Sequence, residues 1–171
     1  DYLTSQEQKF VLAAPTGKAA KVIQKKTGFA ARTIHSLIYT PEPLKHGSGV
    51  RMVRKPNQSR EKTIFIIDEA SMISDVLMSN ENFVASKPLL TDLLDYIKQG
   101  NSENQVIFIG DTFQLQPIGS KESPALSPQY LSNKKGLKGA MVELTEVKRQ
   151  DKDSYILQNA TLLRQCIERG I

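Results

Sequence analysis

Residues 63–69 read Thr-Ile-Phe-Ile-Ile-Asp-Glu (TIFIIDE), an unbroken β-branched and aromatic run that ends abruptly in two acids. Such a run, without polar alternation, predicts a strand buried on both faces. Working outward, Leu89, Leu90, Leu93, Leu94 and Ile97 fall on one helical stripe that finishes at Gly100, and Gln105–Ile109 (QVIFI) is a second apolar strand ending in Gly110-Asp111. Upstream, Phe10–Ala14 (FVLAA) stops at Pro15-Thr16, and Thr16 is an N-cap for a helix running to about Lys26 and closed by Gly28. Downstream, Val142–Val147 (VELTEV) reads as a third strand of this apolar kind, followed by Lys148-Arg149. Apolar strands alternating with amphipathic helices imply an α/β fold with a parallel sheet covered on both faces. In such a sheet the chemistry lies beyond the carboxyl ends of the strands.

Composition narrows the class. The chain has 171 residues, 39% hydrophobic and 24% charged, which suits a globular domain and argues against wholesale disorder. No apolar run approaches the roughly 18 residues of a membrane span. The single cysteine, Cys166, cannot form an internal disulfide, and two histidines do not suit a zinc site. A reducing, cytoplasmic setting is expected.

The formal net charge of +5 is unevenly distributed. From Lys9 to Lys62, twelve Lys or Arg face only Glu42 and Glu61, a net +10, while the rest carries eleven basic and sixteen acidic residues, a net −5. The basic block is a candidate polyanion surface. Within it Thr33 caps a short helix, Ile34 to Tyr39, and residues 40–62 form a Pro-, Gly- and Ser-rich basic excursion, expected as a small hairpin turning near Pro56-Asn57. Phe29 and Tyr39 are the only aromatics between Val11 and Lys62, so base stacking there is limited.

Several strand ends carry chemistry. Asp68-Glu69 has the form of an acid pair in which one carboxylate holds Mg²⁺ and the next deprotonates an attacking water, although two acids can equally begin a helix at its positive end. Gln114, in Gly110-Asp111-Thr112-Phe113-Gln114-Leu115, can both donate to and accept from a terminal phosphate or water. Arg149 could reach charge developing on a transferring phosphoryl group, or be a surface arginine beside Lys148. Thr33 and His35 suit a ligand contact or an N-cap with a partly buried ring. Pro15-Thr16-Gly17-Lys18-Ala19 resembles the end of a phosphate-binding loop but departs from G-x-x-x-x-G-K-[ST] at both ends, with Leu12 for the first glycine and Ala19 for the hydroxyl. A helix N-terminus with Thr16 and Lys18 facing a polynucleotide phosphate is the better reading.

Taken in order, VLAAPTGKAAKVIQKKTGFAARTIHSLIY (11–39), TIFIIDEASMIS (63–74), QVIFIGDTFQLQPIG (105–119) and VELTEVKRQ (142–150) resemble the first motor lobe of superfamily-1 DNA helicases of the RecD-like and Dda-like type. The resemblance implies a RecA-like P-loop NTPase fold, dependence on ATP and Mg²⁺, and translocation on single-stranded DNA in the 5′ to 3′ direction. It implies that Asp68 and Glu69 form the Walker B element with Asp68 toward the metal, that Gln114 senses the γ-phosphate, and that Arg149 is the motif IV arginine. Pro15, Thr16, Lys18, Thr33 and His35 would contact DNA. Residues 40–62 fall where relatives carry a small duplex-splitting pin, and Gln116 stands where relatives have a proline.

The family also places a strand and a Walker A loop upstream of FVLAA, between the QVIFI and VELTEV strands in the sheet, and a second lobe downstream. The expected organisation is therefore an incomplete lobe over 1–147, followed over 148–171 by a linker or the start of the second lobe, or by a C-terminal helix. The segment after about Gly119 is expected to be displaced, swapped or paired in a self-associated oligomer, and the chain alone to be inactive. Expected partners are single-stranded DNA or a strand–duplex junction, with no membrane, in a nucleoid-associated setting. Competing readings are a non-catalytic nucleic-acid-binding module and another P-loop ATPase of nucleic-acid metabolism.

Overall fold

The computed structural model describes residues 2–44, 49–77, 83–117, 119–120, 122–144 and 155–169. The chain divides into two compact units, Asp1–Lys138 and Gly139–Ile171. In the first, a short α1 (Tyr2–Ser5) leads to β1 (Phe10–Ala14), α2 (Gly17–Thr27), β2 (Ala31–Thr33) and α3 (Ile34–Ile38). A hairpin of β3 (Tyr39–Pro43) and β4 (Val50–Arg54) follows, then β5 (Ile64–Ile67), β6 (Phe83–Val84), α4 (Leu89–Gly100), β7 (Gln105–Phe108) and α5 (Pro128–Lys135). The second unit contains α6 (Tyr155–Arg169), where Ile156, Leu157, Ala160, Leu163 and Ile167 fall at helical spacing in the sequence.

The main sheet is parallel throughout, in the order β2-β1-β5-β7. Its register sets Leu12 beside Ile66 and Ile66 beside Ile107, while Ala14 pairs with Thr33. The apolar stripe of α4 packs as its spacing predicts: Leu90, Leu93, Leu94 and Ile97 are buried with Ile34, Ile38, Phe65, Ile67 and Ile73. Each such side chain contributes about 1.5–3 kcal/mol by leaving water.

Several expectations are corrected. QVIFI is not covered on both faces: among the described residues β7 is the sheet edge, and Ile107 and Ile109 are each 46% exposed. VELTEV forms no strand over Val142–Leu144, where the side chains are exposed, and its last three residues lie outside the described residues. The hairpin strands pair Tyr39 with Arg54 through Pro43 with Val50, and the Leu44 N–H donates to the Gly49 carbonyl at 3.0 Å, so Pro56-Asn57 is not its turn. Pro56 lies past β4, and Asn57 is buried instead of turning, donating from Nδ2 to the Tyr96 carbonyl at 3.1 Å. β2, only three residues long, is too short to show a pattern in the sequence.

From Glu122 to Lys138 the chain packs within the first unit. Pro124 and Ala125 are buried, and the Ser123 hydroxyl donates to the Ser71 carbonyl at 3.0 Å. Asp75 then gathers three donors: Lys135 Nζ at 2.6 Å, Tyr130 Oη at 2.6 Å and Thr91 Oγ1 at 2.8 Å. This network holds α5 against α4 and the loop after β5. A second buried carboxylate, Asp92, accepts from Tyr39 Oη at 2.7 Å and lies 3.7 Å from Arg54 Nε, tying the base of the hairpin to α4. Burial, then the bond to Asp92, pushes the Tyr39 phenol well above its usual range, so it stays a donor.

The close approach of Asn57 to α4 can be tested at Gly100. A Cβ there would lie 2.5 Å from Asn57 Nδ2 and 2.6 Å from its Cγ. Gly100→Ala should therefore cost about 1–2 kcal/mol in urea denaturation, despite the ~1 kcal/mol that alanine ordinarily adds to a helix, and a stabilised variant would refute the packing. The Asp75 network has a signature in acid. Burial raises the Asp75 carboxyl, but hydrogen bonds from Lys135, Tyr130 and Thr91 outweigh it and hold the group below the usual carboxylate range. Its contribution is present above the unfolded value of about 3.9 and is lost as pH falls through the lower folded value. Thermal melts of Asp75→Asn should show a shallower acid limb than the parent chain, and identical limbs would exclude the role.

Candidate functional site

The site grows from the continuation of the sheet ladder past the strand ends. The Asp68 N–H donates to the Ala13 carbonyl at 2.9 Å, and the Ile109 N–H donates to the Ile67 carbonyl at 2.8 Å. Asp68 is thereby held at the exit of β5, half-buried, with Oδ1 accepting from the Glu69 N–H at 3.0 Å. Glu69 has φ +54°, the left-handed region that costs a non-glycine residue on the order of 1–3 kcal/mol. That turn bends the chain into the 3₁₀ turn Ala70–Met72, whose Ala70 N–H donates back to the Ile109 carbonyl at 2.8 Å. The two acids and the exit of β7 are thus one hydrogen-bonded unit.

Gly110 is required there by proximity. A Cβ would lie 3.0 Å from both the Ser71 nitrogen and Leu126 Cδ1, and 3.2 Å from the Ala70 nitrogen. Asp111 then closes an Asx turn, accepting from the Phe113 N–H at 3.0 Å on its side chain and from the Gln114 N–H at 3.1 Å on its carbonyl. The turn leaves Gln114 exposed on the same sheet edge as Asp68 and Glu69.

β1 and β2 deliver the remaining groups. Thr16 caps α2, its Oγ1 accepting from the Ala19 N–H at 3.2 Å, and Thr33 caps α3, its Oγ1 accepting from the Ser36 N–H at 3.1 Å. Because Ala14 pairs with Thr33, these helix N-termini are neighbours, with Pro15 half-buried and Lys18 exposed in the first turn of α2. His35 is half-buried, with its ring centroid 5.8 Å from that of Tyr39. Burial lowers its imidazole pKa, which favours the neutral ring. Parallel strands bring Pro15, Thr16, Lys18, Thr33, His35, Asp68, Glu69 and Gln114 to one edge. Arg149 lies outside the described residues.

Among the described residues no three His, Cys, Asp or Glu side chains gather as a metal cluster. The Asp68 carboxylate has lone pairs to spare beyond its bond to Glu69, a donor set that fits a cation whose remaining ligands come from a nucleotide. The loop Pro15–Ala19 does not fit a triphosphate cradle, since the Thr16 hydroxyl is committed to its cap. Sequence reasoning missed Tyr39, Arg54, Asp75 and Asp92, which brace this edge from behind. Asp92 stands off the apolar stripe of α4 and carries no signal of its burial.

A parallel sheet flanked by helices, with Asp-Glu at one strand end and Gly-Asp-x-x-Gln at the next, defines an incomplete RecA-like P-loop fold. The AAA-domain family matches residues 1–166, and the chain belongs to it, as a member of the RecD- and Dda-like superfamily-1 helicase type. It is 30% identical over 150 residues to the ATP-dependent RecD2 DNA helicase of Deinococcus radiodurans, covering 87% of this chain and 17% of that protein. It is also 30% identical over 142 residues to the ATP-dependent DNA helicase dda of Enterobacteria phage T4, covering 82% of this chain and 28% of the relative. The chain therefore spans less than a third of either relative. No described helix is long and apolar enough to cross a membrane.

Within the joint between the acids and β7, the Ser71 hydroxyl is fully buried and has no hydrogen-bond partner among the described residues. An unmet buried hydroxyl costs about 1–3 kcal/mol. Ser71→Ala should raise stability by about 1 kcal/mol in chemical denaturation, and a decrease of that size would show that the hydroxyl has a partner.

Proposed function

We propose that this chain supplies nucleotide- and DNA-facing elements of the first motor lobe of an ATP-dependent DNA helicase, translocating 5′ to 3′ on single-stranded DNA. The observation that carries this reading is the joint itself. The turn after Asp68-Glu69 is bonded to the exit of β7 through Ala70 and Ile109, and the capped N-termini of α2 and α3 stand on the same edge.

In this reading Asp68 holds Mg²⁺, and Mg-ATP supplies the phosphoryl bond whose cleavage drives movement. The Glu69 carboxylate orients a water and takes its proton, a role suited to a group turned out of the strand by left-handed backbone. Gln114 reports on the terminal phosphate through its amide, and Arg149 meets the charge that develops there. Pro15, Thr16, Lys18, Thr33 and His35 hold the DNA backbone; neutral His35 contributes a hydrogen bond without adding charge. The setting is the cytoplasm, at the nucleoid.

The test is turnover in the full-length parent protein. Glu69→Gln should lower single-strand-stimulated ATP hydrolysis by about 10²-fold or more while nucleotide still binds. The 171-residue chain, assayed in parallel, should show no turnover, because it carries no G-x-x-x-x-G-K-[ST] loop. Full activity in Glu69→Gln would reject the assignment of the base.

A further inference from the structure

α2 has a cationic face that its role as a capped helix does not require. Lys18, Lys21, Val22 and Lys25 are spaced so that all four fall within about a 100° arc of an α-helix. The three lysines are exposed, and Val22 is 45% exposed in their midst. Together with Gly17 they line an open hollow of about 500 Å³. The sequence of α2, GKAAKVIQKKT, contains no acid, and none of the ion pairs among the described residues reaches it.

This arrangement opposes helix stability. Lys18 sits in the first turn, at the positive end of the helix dipole, where an anion is favoured. Lys18–Lys21 and Lys21–Lys25 are like-charge pairs at spacings of three and four, each of which weakens the helix. An anionic occupant would relieve all three effects.

We infer that the Lys18–Lys21–Val22–Lys25 face of α2 is a track for the backbone of single-stranded nucleic acid, extending the DNA-facing edge along the helix away from Thr16. This rests on the reading of Thr16 and Lys18 as backbone contacts in the proposed function. Continuity decides the occupant: the stripe begins at Lys18, two residues from the Thr16 cap, and runs unbroken from there. Seven residues of helix span about 10 Å, enough for two or more phosphates at the roughly 3.4 Å rise of a stacked strand. Lys21 and Lys25 each take one phosphate, and Val22 offers an apolar seat for a sugar or base edge between them.

Fluorescence anisotropy of a labelled oligothymidylate, titrated with the 171-residue chain over a range of salt concentrations, tests this directly. A Lys21→Gln, Lys25→Gln double variant should bind about tenfold more weakly at low salt. Its log–log salt slope should be shallower by about 1.4, because each single-strand phosphate that is no longer neutralised lowers the slope by about 0.7. Val22→Ser should weaken binding a few-fold with the slope unchanged, and Lys98→Gln on α4 should change neither. Melting curves of the Val22 and Lys98 variants should overlay the parent, since both positions are exposed, and the double lysine variant should melt at or slightly above it, because its two like-charge pairs are gone. If the parent chain binds the oligonucleotide and the double variant keeps its affinity and slope, the track is wrong while the DNA-facing edge survives. If the parent binds no oligonucleotide, or binds vesicles of anionic lipid in its place, both fail together.

Discussion

The position of everything on the functional edge depends on β5 being paired on both sides to its last residue. Ile67 is fully buried, its carbonyl accepting from Ile109 on one flank, while the next N–H, that of Asp68, donates to Ala13 on the other. The ladder thus runs one step past the strand, and the acid pair begins where it ends. Only then does Glu69 take left-handed backbone, and the Ala70–Ile109 bond closes the turn against β7. A carboxylate pair on a frayed strand end would have no fixed direction. Here the backbone bonds fix where both residues leave the sheet, and the Glu69 N–H holds the Asp68 carboxylate.

Much of this was legible because it is written in short-range terms. TIFII, FVLAA and the 89–97 stripe are periodic or continuous enough to show strand and helix, and Thr16, Thr33 and Gly28 announce their caps. Illegible features depend on what lies across space. QVIFI carries the composition of a covered strand, yet Ile107 is exposed because coverage belongs to its neighbours and not to its residues. The excursion offered Pro56-Asn57 as turn residues, and Asn57 instead serves as a buried bridge to Tyr96, a role its type permits but does not signal. Asp92 is the sharpest case. Helical spacing sets it off the apolar stripe, and it is buried because the base of the hairpin folds over it.

α4 emerges as the strut behind the edge. Its consecutive residues Thr91 and Asp92 point into two separate polar clusters, one around Asp75 in the loop after the acid pair, the other around Tyr39 and Arg54 at the root of the hairpin. Buried ionic groups of this kind add little net stability compared with apolar packing, but removing one partner costs several kcal/mol because the other is stranded. Their effect is to penalise wrong placement. Lys55 supplements the second cluster, its backbone N–H donating to Ile38 at 2.7 Å and its Nζ to the Ser36 carbonyl at 2.8 Å, so hairpin and α3 share one anchorage.

Charge on this molecule is sorted by whether it is already answered. Lys9 pairs with Glu61, Lys87 with Asp95 and Lys135 with Asp75, each at 2.6–2.7 Å. Lys18, Lys21 and Lys25 have no acidic partner among the described residues, although Asp68 and Glu69 end a strand next to the one that leads into α2. A salt bridge between those two groups would lower the energy of the free chain, and it would also neutralise the acids that suit a cation and the cations that suit phosphate. The Asp68 carboxylate instead accepts from the Glu69 N–H, and Thr16 starts α2 by capping it. Within the basic segment Lys9 is answered by Glu61 and Arg54 by Asp92, whereas the exposed lysines of α2 leave their field available on the surface.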